Sequence, residues 1–109
     1  MGIVAGALTG SVNTDFPKLS LGKVENITLI LANTEYTHVF PANTKTFLMQ
    51  ARDGAGKIKL AFDVGTSGSV YHTVPAGGFY SSGFIVAPTI TVYIQSPSAG
   101  IIVELTSWS

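Results

Sequence analysis

The stretch Thr89-Ile90-Thr91-Val92-Tyr93-Ile94-Gln95, then Ser96-Pro97-Ser98-Ala99-Gly100, then Ile101-Ile102-Val103-Glu104-Leu105-Thr106-Ser107-Trp108 decides the fold class. Apolar residues recur at every second position: Ile90, Val92 and Ile94 in the first run, Ile101, Val103 and Leu105 in the second. Successive side chains of an extended chain point to opposite sides, so this period of two marks strands with one buried face. The five residues between the runs are turn formers, and the spacing predicts a five-residue hairpin loop. The second face of the last run holds Ile102, Glu104, Thr106 and Trp108, an unusual set to offer to water.

Upstream the same pattern returns. In Lys57-Ile58-Lys59-Leu60-Ala61-Phe62-Asp63 the residues Ile58, Leu60 and Phe62 face one way, and Lys57, Lys59 and Asp63 the other. Asp53-Gly54-Ala55-Gly56 reads as a second hairpin turn, closing just before Lys57. Further strands are expected at 26–33, 36–40, 46–52, 69–74 and 79–85. No segment sustains helical spacing over eleven residues without a Gly or Pro interruption. About eight short strands separated by Gly, Pro, Asn and Ser point to an all-β fold. The expected form is a single antiparallel β-sandwich, jelly-roll-like, or a small barrel.

That domain spans 26–109, preceded by an irregular N-terminal arm or lead-in at 1–25. Gly2, Gly6, Gly10, Ser11, Asn13, Thr14 and Pro17 break any regular pattern in the lead-in, yet Ile3, Val4, Leu8, Val12 and Phe16 keep it apolar. A flexible linker lacks such anchors. These five residues are therefore candidate interaction residues, either for the chain's own domain or for a neighbouring chain. Tyr80 and Trp108 join them, because Tyr and Trp are enriched at interfaces; core packing is their plainer use.

An internal echo supports the architecture. Thr37-His38-Val39-Phe40-Pro41-Ala42-Asn43 resembles Tyr71-His72-Thr73-Val74-Pro75-Ala76-Gly77, thirty-four residues later. Each is a strand ending in a Pro-Ala turn whose last residue, Asn43 or Gly77, tolerates a positive φ. Ile58 and Leu60 match Val92 and Ile94 at the same offset, as expected of two similar units packed in one sandwich.

Composition narrows the function. Only 11% of the 109 residues are charged and 46% are hydrophobic, whereas about 25% charged is usual. Six basic residues cancel six acidic ones, for a net charge of 0 and a pI near 6.7. Such a chain has no electrostatic footprint for nucleic acid or an anionic membrane. Mean hydropathy is +0.40, but the longest apolar runs, 29–32 and 84–87, are far short of a spanning helix. The first residues have no basic region of an export signal, so a soluble product without one is expected.

Catalytic and metal chemistry find little support. There are no cysteines and only two histidines, His38 and His72, which the echo places at equivalent rather than converging positions. Asp15, Asp53, Asp63, Glu25, Glu35 and Glu104 are dispersed, unlike the ligands of a calcium loop or a glycosidase pair. Gly56-Lys57 lacks the remaining residues of a phosphate loop, and Ser67 lacks the Gly at position 69 that a nucleophile elbow needs. The expectation is a non-enzyme with no cofactor and no metal. Asn26-Ile27-Thr28 forms a glycosylation sequon, read as fortuitous for a product without export.

A resemblance sharpens this. Thr73-Val74-Pro75-Ala76-Gly77-Gly78-Phe79-Tyr80 has a V-P-A-G turn leading into an aromatic strand. Thr91 to Ser96 and Gly100 to Trp108 fit T-x-Y-x-x-S…G-x-x-V-E-x-x-x-W. Over residues 47–108 the chain resembles small tailed-phage virion proteins. The resemblance implies a structural virion component with a β-sandwich fold, foremost a capsid cement (decoration) protein. It implies a homotrimer that bridges capsomers, with the major capsid protein as partner, in a virion assembled in the host cytoplasm. A tail, baseplate or fibre subunit is an alternative, as is a carbohydrate- or receptor-binding module using exposed Tyr and Trp. No catalytic residues carry over. Independently, strands with two non-solvating faces suggest that the second face meets another surface, since one sandwich buries only one.

Overall fold

The computed structural model describes residues 21–109. Eight strands follow one another: β1 Lys23–Leu29, β2 Tyr36–Val39, β3 Thr46–Ala51, β4 Ile58–Ala61, β5 His72–Val74, β6 Phe79–Ser81, β7 Thr91–Gln95 and β8 Ile101–Trp108. They form two four-stranded sheets, ordered β1-β8-β3-β6 and β2-β7-β4-β5, with every pairing antiparallel.

The register explains the topology. First pairs with last, second with seventh, third with sixth, fourth with fifth. The numbers of paired residues add to 130 in both the β1–β8 and β2–β7 ladders, to 129 in β3–β6 and to 132 in β4–β5. The chain is therefore one long antiparallel hairpin, with its tip near Gly65, rolled into two facing sheets. This is the jelly roll. The ribbon stays paired where it turns from one sheet to the other: Ser82 N donates to Phe47 O (3.0 Å), Ile85 N to Lys45 O (2.7 Å), Asn43 N to Pro88 O (3.1 Å) and Phe40 N to Ile90 O (3.0 Å).

Alternation fills the space between the sheets. Leu29, Phe47, Met49, Ile58, Leu60, Val74, Val92, Ile94, Val103 and Leu105 are all within 1% of complete burial. Rings then run across the interior from edge to edge. His38 meets Phe40 edge-on at 4.8 Å, Phe40 stacks on Phe47 at 4.4 Å, Phe47 lies 5.8 Å from Tyr80, and Tyr80 meets His72 at 5.2 Å. The two echoed histidines thus end one aromatic row on opposite edge strands of the same sheet, β2 and β5. Asn43 and Gly77 both adopt positive φ, at 63° and 79°.

Two expected hairpins are corrected. The turns at 53–56 and 96–100 do reverse the chain, but β3 and β4 lie in different sheets, as do β7 and β8. Each turn crosses the sandwich, so the apolar faces of β7 and β8 meet across the core instead of lying side by side. The 96–100 loop accordingly bonds to the end of β1 and the loop after it: Gly100 N donates to Leu29 O and Asn33 N to Ser96 O, both at 2.7 Å. Turn residues specify a reversal; they do not specify whether the next strand stays in the sheet. Strand β4 ends at Ala61, and Phe62 just beyond it keeps its ring on the expected side, 6.4 Å from Phe47 and from Tyr80, while remaining 48% exposed. At the other end, β1 begins at Lys23, within the stretch assigned to the lead-in.

Candidate functional site: one covered and one open sheet face

Each sheet has an outward face, and the two are treated differently. On the sheet β2-β7-β4-β5, outward residues include Ala61 and Gln95, which are 4% and 8% exposed. The cover is the tip of the long hairpin, residues 62–71, folded back over the sheet. Glu35 fastens it. Its carboxylate accepts from Gly65 N at 2.8 Å, Ser67 N at 3.1 Å and Ser67 Oγ at 2.5 Å. The Ser67 side-chain hydrogen bond, then that of the Gly65 amide, hold the Glu35 pKa below the usual carboxylate value. Ser67 is fully buried, and its Oγ accepts in turn from Gln95 Nε2 at 2.9 Å. Gly68 permits this closeness, because a Cβ there would stand 3.1 Å from Gln95 Nε2.

The sheet β1-β8-β3-β6 has no such cover among the described residues. Cross-strand register aligns Val24, Thr106, Leu48 and Ser81 in one outward row, and Asn26, Glu104, Gln50 and Phe79 in the next. Val24 and Phe79 are 65% and 62% exposed, at the two edges. Ile102 and Trp108 continue the face along β8, half-buried. Trp108 lies against Gly22, where a Cβ would come within 2.9 Å of its Nε1.

The few charges on this face are spent on each other. Arg52 Nε donates to Glu104 Oε2 at 2.9 Å and Gln50 Nε2 to Glu104 Oε1 at 3.2 Å. The Asn26 amide oxygen accepts from Arg52 Nη2 at 3.0 Å. Hydrogen bonds from Arg52 and then Gln50 lower the Glu104 pKa. What remains is a neutral surface of Thr, Val, Leu, Ile, Phe and Trp side chains around one self-contained ion pair.

The edge between β1 and β2 holds the other polar contact of note. Glu25 Oε1 and His38 Nε2 face each other at 3.3 Å, with Lys23 Nζ 3.8 Å from the other carboxylate oxygen. Both facing atoms are buried and have no other partner. Glu25 and His38 come from edge strands of different sheets, so the pair bridges the two sheets at this edge. Among the described residues no three His, Cys, Asp or Glu side chains gather as a metal site. No helix there is long and apolar enough to cross a membrane.

Of the sequence candidates, Trp108 lies on the open face, whereas Tyr80 turns inward against Phe47 and the core. Ile3, Val4, Leu8, Val12 and Phe16 lie outside the described residues. Sequence reasoning missed the role of Glu35, whose only signal was a carboxylate between Thr34 and Tyr36 at a strand start. It also missed two apolar grooves flanking residues 84–88, described below.

No family model matches the chain, and no curated protein does. Among solved structures it is similar to the solution NMR structure of a de novo designed double-stranded beta-helix. That likeness has a TM-score of 0.51 at 12% identity and covers 83% of this chain and 100% of the other. At such identity it is a likeness of fold: short antiparallel strands rolled into two sheets.

Proposed function

We propose that this protein is a structural virion subunit of the tailed-phage type that works by packing against copies of itself and a shell protein. A capsid cement protein, assembled as a homotrimer, is the form we favour. The observation that carries the reading is the open, neutral outward face of β1-β8-β3-β6. Burial of apolar surface contributes about 25 cal/mol per Å². Strands of seven, eight, six and three residues about 4.8 Å apart give a footprint of roughly 380 Å². Doubled over two partners, that supplies about three quarters of the roughly 1,000 Å² of a specific interface, leaving the rest to the flanking loops. With its one ion pair already satisfied, the face can meet another neutral surface without stranding a charge. Low charge also limits repulsion among many copies on a lattice.

Sedimentation velocity from 1 to 100 μM tests the self-association, with the wild-type chain expected to sediment as a trimer. Val24→Lys with Phe79→Lys, two exposed positions on the face, should sediment as a folded monomer. A wild-type chain that stays monomeric throughout sinks the assembly reading. Purified virions carrying the subunit in lattice stoichiometry would support the cement role, and a tail-sized copy number would move it to the tail.

A further inference from the structure

At the end of the sandwich where β1 begins and β8 ends, the ribbon crosses between sheets, and an open groove of about 520 Å³ lies alongside. Asn43, Lys45 and residues 84–88 line it. A second groove shares Ile85 and Ala87 and continues to Phe62 and Ile90 on the other side. Phe84 and Val86 stand 65% exposed and fully exposed here. Ile85 N is bonded back to Lys45 O, but the amides of Phe84, Val86 and Ala87 donate no hydrogen bond among the described residues. An apolar stretch outside any strand, with amides unpaired among the described residues and a groove beside it, is suited to receive an extended segment.

We infer that the occupant is residues 12–16 of the same molecule, Val12-Asn13-Thr14-Asp15-Phe16, with Phe16 in the groove and Asp15 at Lys45. Among the described residues Lys45 is the only charged one lining the groove, and no salt bridge holds it. Asp15 is the only acidic residue before Glu25, and it sits between apolar Val12 and Phe16. Phe16 precedes Pro17, a position biased towards extended backbone and so suited to an edge-on dock.

Reach favours the same molecule over a neighbour. The order β1-β8-β3-β6 puts Leu21, just before β1, three strand spacings from the start of the 84–88 stretch, which is about 14 Å. Five extended residues from Leu21 back to Phe16 span about 17 Å. A tether that short gives millimolar effective concentration, roughly a thousandfold above a micromolar neighbour. The inference stands apart from the assembly reading, which concerns a different face.

The chain has no cysteine, so a designed pair reports alone. Full-length Asp15→Cys/Lys45→Cys, oxidised mildly at 1 μM, should form an intramolecular disulfide at least tenfold faster than Asp15→Cys/Lys57→Cys, whose second site lies at the opposite end. No preference over that control, or a product that is mainly dimer, overturns the inference; a dimer would place the segment on a neighbour. Should the cysteine variants not fold, hydrogen exchange of full-length Phe16→Ala decides. Amides at 84–87 should exchange about tenfold faster than in the wild type, and unchanged rates there overturn the inference. Sedimentation of the same samples reads the assembly separately.

Discussion

Gln95 on β7 and Gln50 on β3 both point outward from central strands of their sheets, yet Gln95 is 8% exposed and Gln50 is open to solvent. The first hands its amide to a buried serine of the folded-back tip. The second reaches only to Glu104 beside it. Both sheets carry outward residues that water does not favour. One sheet meets that surplus with its own chain, through a carboxylate taking three hydrogen bonds; the other leaves it uncovered among the described residues. A low-charge strand face therefore does not by itself imply a partner, because a long connection can fold over it. The inference to a neighbour belongs only to the face where no such connection is found among the described residues.

The contrast can be broken from the core outward. Phe47→Ala should cost about 3–5 kcal/mol and lower the denaturant midpoint for both faces together, since Phe47 is fully buried between the sheets. If chemical denaturation instead shows the two sheets melting separately, they are not one cooperative unit and the comparison fails.

Glu35→Ala removes the fastening of the covered face alone. Fully buried Ser67 loses its acceptor, and a cost of about 1–2 kcal/mol is expected for the stranded donors. Hydrogen exchange should rise across 63–70 while β1 and β8 keep wild-type rates. Uniform protection in the variant would show that apolar contacts, not Glu35, hold the tip.

Acid should act in the same place. The Glu35 pKa is lowered from 4.5 in the folded chain, so its contribution is complete above that value and is lost as pH falls through the depressed one. Proton uptake then accompanies release of the tip, and stability should decline on acidification below pH 4.5. Glu35→Gln should flatten that decline; an identical acid profile would assign it to other carboxylates.

The smallest effect on the fold is expected from Val24→Lys with Phe79→Lys on the open face. Exposed substitutions of this kind change stability by about 0.5 kcal/mol or less, so unfolding should hardly move while sedimentation changes. A loss of several kcal/mol in the monomer would mean the face is already packed within the chain.

Much of the fold was legible because alternation is a local signal. Ile90, Val92, Ile94, Ile101, Val103 and Leu105 are all buried as their spacing requires. The echoed turn residues carry the expected positive φ, since that depends on the residue and its immediate neighbours. The sheet change at 53–56 and 96–100 was not legible, because a hairpin and a crossing use the same turn residues. Glu35 was hidden for a different reason: its partners Gly65 and Ser67 lie thirty and thirty-two residues away.

By itself the sequence determined an all-β chain of about eight short strands, which residues of most strands face inward, and a shortage of charge too large for a single buried face. Tertiary structure alone decided how those strands are shared between two sheets and which outward face the described residues leave open. The physical reason is range. Side-chain alternation follows from the geometry of neighbouring residues, whereas the rolling of the hairpin and the seating of its tip depend on pairings across up to eighty-four residues.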